Sequence, residues 1–425
     1  MDRFLIYSSK ILVVFFLLGC SCTPTPSPDI KVEGIQPIWS TKLPGKAGIY
    51  NYGLIGLPVF NGKILFHSTY FTNIDAEDNR VHALDMETGE IEWTFPERYK
   101  KENSMFFSGV PYLYNEYIVT KMPKFGNTLP YDQLICINMN TGKEVWSKAF
   151  SESDSYNVNF DHIVGKNSEF YFFQQTNTNA ILYKCDVLSG DTLRLIDIAT
   201  TFPNNYCRTT SEIILCENSE NNKDYVFIGG LESKIENTDE YNLYLYKINI
   251  TDKTIDDKII IFKSPDYDFP INHNILVHSK IVFTCGRISS CYNIATNTID
   301  WTYKSTESYN YMTNQVVVNN DIVFLYGDNR YVGLDAQTGK KLYQGDIQCG
   351  NADAFNGYVY VIGRDAKLYI LDIKTGKTLH RIICPEEYTT NTGFNTYCKP
   401  QVYGNKLYVF GNYHAYCYDA VPKEQ

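Results

Sequence analysis

Apolar and polar residues alternate along most of this chain in runs too short for helices. "PVFNGKILF" (58–66), "QVVVNNDIVFLYG" (315–327), "DAFNGYVYVIG" (353–363) and "PQVYGNKLYVFG" (400–411) each show an apolar pair, a tight polar turn and a second alternating run. Period-two alternation marks a half-buried strand, and Asn-Gly or Gly-Asn steps mark hairpin turns. A second pattern follows downstream: "LDMETGEIEW" (84–93), "INMNTGKEVW" (137–146), "LDAQTGKKLY" (334–343) and "LDIKTGKTLH" (371–380). Each reads as the end of one strand, a turn, and the start of another.

Aligned on its acidic or amide position, this motif recurs at Asp85, Asn138, Asp186, Asn249, Asn293, Asp335, Asp372 and Asp419, at intervals of 37 to 63 residues. Together the two patterns give a unit of four short strands, A to D. Eight such units predict an all-β, eight-bladed β-propeller of four-stranded antiparallel blades. The Asp or Asn can accept hydrogen bonds from turn amides, and the Gly allows positive φ where the chain reverses. A tryptophan four residues after the Gly can lie flat against the neighbouring blade. Trp39, Trp93, Trp146 and Trp301, the four tryptophans of the chain, all suit that position.

The first and last units are each incomplete. "AYCYDAVPKEQ" (415–425) lacks a TG turn and strand D, while "IQPIWSTKLPG" (35–45) resembles a strand D with nothing before it. Open sheet edges invite aggregation, so residues 36–42 are expected to complete the last blade by pairing with 414–420. The propeller is then residues 36–425. Before it, "MDRFLIYSSKILVVFFLLGCSC" has early basic residues, a short apolar run and Gly19-Cys20. An apolar run of eight is too short to span a bilayer and reads as a secretory signal over 1–19. The Leu-Leu-Gly-Cys junction resembles a bacterial lipobox, which makes Cys20 the expected lipidation site and 20–35, rich in Ser, Thr and Pro, a tether.

Net charge is −10 without a basic run, which argues against nucleic acid as a partner. Cys136, Cys185, Cys291 and Cys417 fall in apolar alternating runs and are expected as buried thiols, and Cys384 could pair with Cys398. No CxxC or HExxH spacing appears, so no metal site is expected.

The D-x-x-T-G-x-x-x-W pattern in eight copies resembles the pyrroloquinoline-quinone-type repeat of eight-bladed propellers. With the lipobox and the length, it resembles most the BamB family of outer-membrane β-barrel assembly lipoproteins. The likeness is best in blades one, two, six and seven. It weakens in three to five, where "LSGDTL" (188–193), "NITDKTI" (249–255) and "NIATNTIDW" (293–301) lose the Thr, Gly or Trp. It implies an outer-membrane, lipid-anchored, non-enzymatic protein facing the periplasm or the cell surface, monomeric in its propeller, without cofactor, that binds or scaffolds envelope or outer-membrane proteins. Quinone dehydrogenases share the blade motif and are the enzymatic alternative. They are typically longer and carry an adjacent Cys–Cys pair, which is absent from this sequence.

The repeated acidic residues belong to turns and are poor candidates for a general base. The A–B and C–D turns on one face are short, whereas the B–C and D–A connections on the other are expanded, as in 121–133, 231–242, 262–274 and 384–400. Variable loops on a regular frame are where binding usually sits. These loops are rich in aromatics, among them Tyr206, Tyr267, Tyr309, Tyr311, Phe394 and Tyr397. Tyrosine offers large contact area at low entropy cost. Tyr267, Tyr309, Tyr311, Phe394 and Tyr397 are the expected partner contacts. A glycan or small ligand would also suit such a face, and rings folded back to plug the channel are the structural alternative.

Overall fold

The computed structural model describes residues 35–43, 59–60, 62–68, 80–95, 108–124, 131–149, 163–175, 180–198, 205–209, 213–218, 223–234, 237–264, 271–285, 288–305, 315–319, 321–327, 330–385, 393–396 and 398–421. Regular structure there is strand, arranged as eight antiparallel sheets in which, outside blades 4 and 8, neighbours in sequence are neighbours in space. Blade 1 comprises Val59–Phe60, Lys63–Ser68, Arg80–Asp85 and Ile91–Phe95, and blade 2 Ser108–Tyr114, Tyr117–Lys124, Tyr131–Asn138 and Lys143–Ala149. Blade 3 is built from Val164–Lys166, Glu169–Gln175, Ala180–Asp186 and Thr192–Asp197. Blade 4 has Ile214–Asn218, Lys223–Lys234, Asn237–Asn249 and Thr254–Ser264, with Asn205–Thr209 as a fifth strand. Blades 5, 6 and 7 run from Ile271–Val277 to Thr298–Lys304, from Gln315–Asn319 to Lys341–Gly345, and from Cys349–Phe355 to Thr378–Ile382.

Blade 8 has Gln401–Tyr403, Lys406–Phe410 and His414–Asp419 as strands A to C, and Trp39–Lys42 supplies strand D. The ladder sets Trp39 opposite Cys417 and Lys42 opposite His414. It is extended by Ile38 N–H donating to Cys417 O and Leu43 N–H donating to Tyr413 O, both at 2.7 Å. The first described strand and the last thus close the ring, as the two half-units in the sequence require.

The core is distributed between the blades. Apolar clusters lie at each seam in turn, from blades 1 and 2 (Leu65, Ala83, Ile118, Ile135) round to blades 7 and 8 (Ile362, Ile370, Leu407, Tyr418). The closing seam joins Phe66 and Leu84 of blade 1 to Tyr408, Phe410 and Cys417 of blade 8, with Trp39 packed on it. Period-two strands bury both faces here because each blade has a neighbour on either side.

Blade 4 departs from expectation. Residues 231–242 are not a loop: Lys223–Lys234 and Asn237–Asn249 continue as a hairpin, with Ser233 opposite Tyr241 and Lys234 opposite Asn237. Gly230 stands opposite Tyr244 inside this ladder. A Cβ on Gly230 would come within 2.4 Å of the Tyr246 ring, so this glycine marks a close approach and not a break. Tyr206, expected in a loop, lies in Asn205–Thr209, which pairs with 230–234. Residues 121–124 and 131–133 are likewise paired strand, Lys124 opposite Tyr131.

Candidate binding face

The repeated letters assemble one device many times. Asp85 Oδ1 accepts from Glu87 N–H, Thr88 N–H and the Thr88 hydroxyl, the last two at 2.7 and 2.9 Å. Asn138, Asp186, Asn249, Asn293, Asp335 and Asp372 accept from the turn amide three residues on in the same way. In the eighth copy, Asp419 Oδ1 accepts from Lys406 Nζ at 3.3 Å. The turn Gly sits at φ +74° at Gly89 and +67° at Gly142. Lys253 (φ 58°) and Asn297 (φ 54°) adopt the same left-handed backbone where the sequence lost the Gly.

A second role of that Gly lies across the seam. A Cβ on Gly89 would meet the Trp39 ring at 2.5 Å, and one on Gly142, Gly190 or Gly339 would meet Trp93, Trp146 or Trp301 at 2.6 to 2.8 Å. Each indole N–H donates to the carbonyl of the residue after the motif Asp or Asn of the next blade: Trp39 to Met86, Trp93 to Met139, Trp146 to Val187, Trp301 to Ala336, at 2.7 to 2.9 Å. Tyr343 takes the same place against Gly376 and donates to Ile373 O. A one-residue slip in the C–D ladder precedes the aromatic in blades 1, 2, 5 and 6, for example between Cys136 and Ile137, and turns the ring toward the next blade. The tryptophans and repeated acids are therefore parts of the frame.

The seams flanking blade 4 lack the aromatic dock. Arg194 stands at the tryptophan position of blade 3 and pairs with Asp197 in its own strand at 2.6 Å. Lys166 reaches across to Asp224 and Glu217, both at 3.2 Å, and Lys247 Nζ and the Tyr292 hydroxyl both donate to Asn297 Oδ1. Exposed ion pairs of this kind contribute about 0–1 kcal/mol.

On the opposite face, Tyr267, Tyr309, Tyr311 and Tyr397 lie outside the described residues, as does Cys20. Phe394 is described, and its expected role as a contact is corrected. It is 1% exposed and meets Tyr416 and Tyr418 edge-on at 6.0 and 6.3 Å. The segment around it folds down because its backbone finds partners there. Phe394 N–H donates to Ala366 O, Asn395 N–H to Phe410 O, and Asn351 Nδ2 to Thr396 O, while Lys399 pairs with Asp353 at 3.0 Å. Part of 384–400 is thus a strap across blades 7 and 8. The Thr, Asn and Gly around Phe394 gave no sign of this, since the anchoring groups are distant in sequence. No disulfide joins Cys384 to Cys398, which corrects the expected pairing; Cys384 lies in the seam of blades 7 and 8, Cys398 against that of 8 and 1.

Turns, ion pairs and burial shift several carboxylates and thiols. Turn donors hold Asp85, Asp186 and Asp335 below the usual carboxylate range: the Thr88 amide, the Ser189 amide and the Thr338 hydroxyl, respectively, are the largest influences. Lys280 and Lys223 do the same for Asp300 and Asp252. A general acid or base working near neutrality needs the opposite shift. Burial pushes the Cys136 and Cys185 thiols up to about 12 and those of Cys291 and Cys417 to about 11, which makes them poor nucleophiles.

Comparison with known proteins places this geometry. The family model described as "Outer membrane protein assembly factor BamB" matches residues 34–184, which take in the closing strand, blades 1 and 2, and blade 3 into its third strand. No curated protein matches the chain in sequence. The fold is similar to BamB from Moraxella catarrhalis, with a TM-score of 0.56 at 12% identity over 92% of this chain and 99% of that one. It is also similar to quinohemoprotein alcohol dehydrogenase from Comamonas testosteroni (TM-score 0.61, 12% identity, 93% and 78% covered) and to a europium-containing methanol dehydrogenase (0.57, 11%, 90% and 86%). Among the described residues no group of three or more His, Cys, Asp or Glu comes together that could hold a metal ion. In sequence over its first blades and in fold over nearly its whole length, the chain resembles BamB, an eight-bladed propeller of pyrroloquinoline-quinone-type repeats.

Proposed function

We propose that the chain is a lipid-anchored, non-enzymatic envelope propeller whose long-loop face binds other proteins of the outer membrane or periplasm. The observation that carries this reading is the division of labour between the two faces. On the turn face the distinctive residues are spent on turns and seams, as the Asp85–Thr88 bonds and the Trp93–Gly142 contact illustrate. On the other face the connections lengthen, and blade 4 raises a β-hairpin whose strand B has 12 residues against 6 in blade 1. The match to the BamB model over the first blades agrees with an assembly role.

The test is capture from detergent-solubilised membranes with the wild-type chain and a Tyr309→Ala/Tyr311→Ala variant. Buried interface aromatics are worth about 2 kcal/mol or more each, so capture should fall at least about tenfold while the melting temperature holds. Capture that persists in the variant while stability drops would mean that the rings are packing groups. The likeness to quinoprotein dehydrogenases sets the competing reading. Added pyrroloquinoline quinone with calcium should give neither a saturable melting shift nor dye reduction, and either response would replace the binding role with an enzymatic one.

A further inference from the structure

The direction of one strand fixes where the N-terminal segment leaves the ring. In blade 8, strand C (His414–Asp419) begins after the B–C connection at Gly411–Tyr413 and ends at Asp419, the residue that introduces the C–D turn in other blades. It therefore runs from the long-loop face to the turn face. Trp39–Lys42 pairs with it antiparallel, so Trp39 lies toward the turn face and Lys42 toward the long-loop face. Ile35 packs against the seam of blades 7 and 8. Ile35, the first described residue, thus lies at the turn-face end of that corner.

We infer that the turn face is the membrane-proximal face of this propeller and that the long-loop face is directed away from the bilayer, toward partners arriving through the aqueous phase. The inference rests on the reading of Cys20 as the lipid-bearing residue. A tether from Cys20 to Ile35 has a root-mean-square reach of about 20 Å if flexible, and about 50 Å fully stretched. A strand of 6 to 8 residues, such as Lys63–Ser68 or Tyr117–Lys124, makes the ring about 20–26 Å thick. Relaxed reach and ring thickness are therefore equal in scale. Turning the long-loop face to the lipid would use the whole relaxed reach of the tether to cross the rim, whereas the other orientation leaves that reach free. The exit corner also presents apolar surface: Ile38 is 48% exposed and Val421 39%, each at the turn-face end of its part of blade 8. Such groups suit contact with the headgroup boundary.

The experiment compares two reporters in blade 6. Gln337 lies in an exposed C–D turn and Gln348 in the exposed D–A connection on the opposite face. A dye coupled to an unnatural residue at either position is read by energy transfer to a headgroup-labelled acceptor, with the full lipidated chain in phosphatidylethanolamine–phosphatidylglycerol vesicles. Transfer should be greater from Gln337. Equal transfer, or greater transfer from Gln348, overturns the orientation. A second arm replaces residues 1–34 with a histidine tag bound to nickel-chelating lipid, which keeps the exit corner and removes lipidation. The same ranking there supports the exit geometry on its own. A native chain that stays in solution refutes the anchor, and with it the assignment of a membrane-proximal face, even where the tagged arm ranks the reporters as expected.

Discussion

Alanine substitutions at two glycines separate what the turn demands from what the seam demands. Gly62 and Gly142 both sit at positive φ, +74° and +67°, so either change to Ala forces a side chain into the left-handed region. That cost is about 1–2 kcal/mol. A Cβ at Gly62 meets nothing within 4 Å, whereas at Gly142 it lands 2.6 Å from Cδ2 of Trp93. The indole must then move, which adds about 1–3 kcal/mol of overpacking. Its N–H also loses a 2.7 Å bond to Met139 O, a further about 0.5–1.5 kcal/mol. Gly62→Ala should therefore cost about 1–2 kcal/mol and Gly142→Ala about 3–6 kcal/mol. Urea unfolding followed by circular dichroism measures both, and red-shifted Trp93 emission should accompany the second change alone. Equal losses from the two substitutions would refute the argument, because they would show that the seam yields freely and that the Gly is kept for its backbone.

Trp39→Ala should cost about 3–5 kcal/mol and promote self-association, since it loosens the strand that covers the edge of blade 8; unfolding and size-exclusion chromatography check it, and a monomer of wild-type stability would contradict the closure energetics. Asp372→Ala removes the acceptor for the Thr375 amide and hydroxyl, both at 2.8 Å, and should cost about 1 kcal/mol because water can reach the turn. Asp372→Asn should cost much less, as Asn138, Asn249 and Asn293 fill that role in three other blades. Acid should weaken the ring: folded Asp85, Asp186 and Asp335 titrate below their unfolded value of 3.8, so their contribution is complete above it and is lost as pH falls through the folded values. Melting curves between neutral pH and pH 3 should show this decline, flattened in Asp335→Asn.

The frame was legible in the sequence because its causes are local and repeated. Asp85, Thr88 and Gly89 lie within one turn, and the tryptophan that docks on the next blade follows four residues after each Gly. Even the ring closure could be read, since half a unit at either end has one economical completion. The binding face was less legible. Phe394 looks like any loop aromatic, and its burial depends on Ala366, Phe410 and Tyr416, which no short window contains. Residues 231–242 read as a loop because the partners that extend the blade 4 ladder through Leu231–Lys234 lie on a different strand. Tyr343 in the tryptophan position was visible as a letter, but its dock against Gly376 was not, because that needs the orientation given by the ladder slip before it.

The pairing of Trp39–Lys42 with His414–Asp419 also sets a timetable for folding. The strand that completes blade 8 is made first and its neighbours are made last. At about 5–20 residues per second the wait is roughly 20–80 s. Blades 1 to 7 close their sheets from consecutive strands and can assemble as they emerge, so the intermediate is an open arc with a bare edge at each end. Contacts between distant parts of a chain form slowly and leave such edges exposed meanwhile. A chain interrupted before His414 has no partner for its own first strand, so this architecture makes closure a check on completeness. An arrested product would keep its N-terminal segment unpaired, which gives a protease or chaperone a local mark of an unfinished ring.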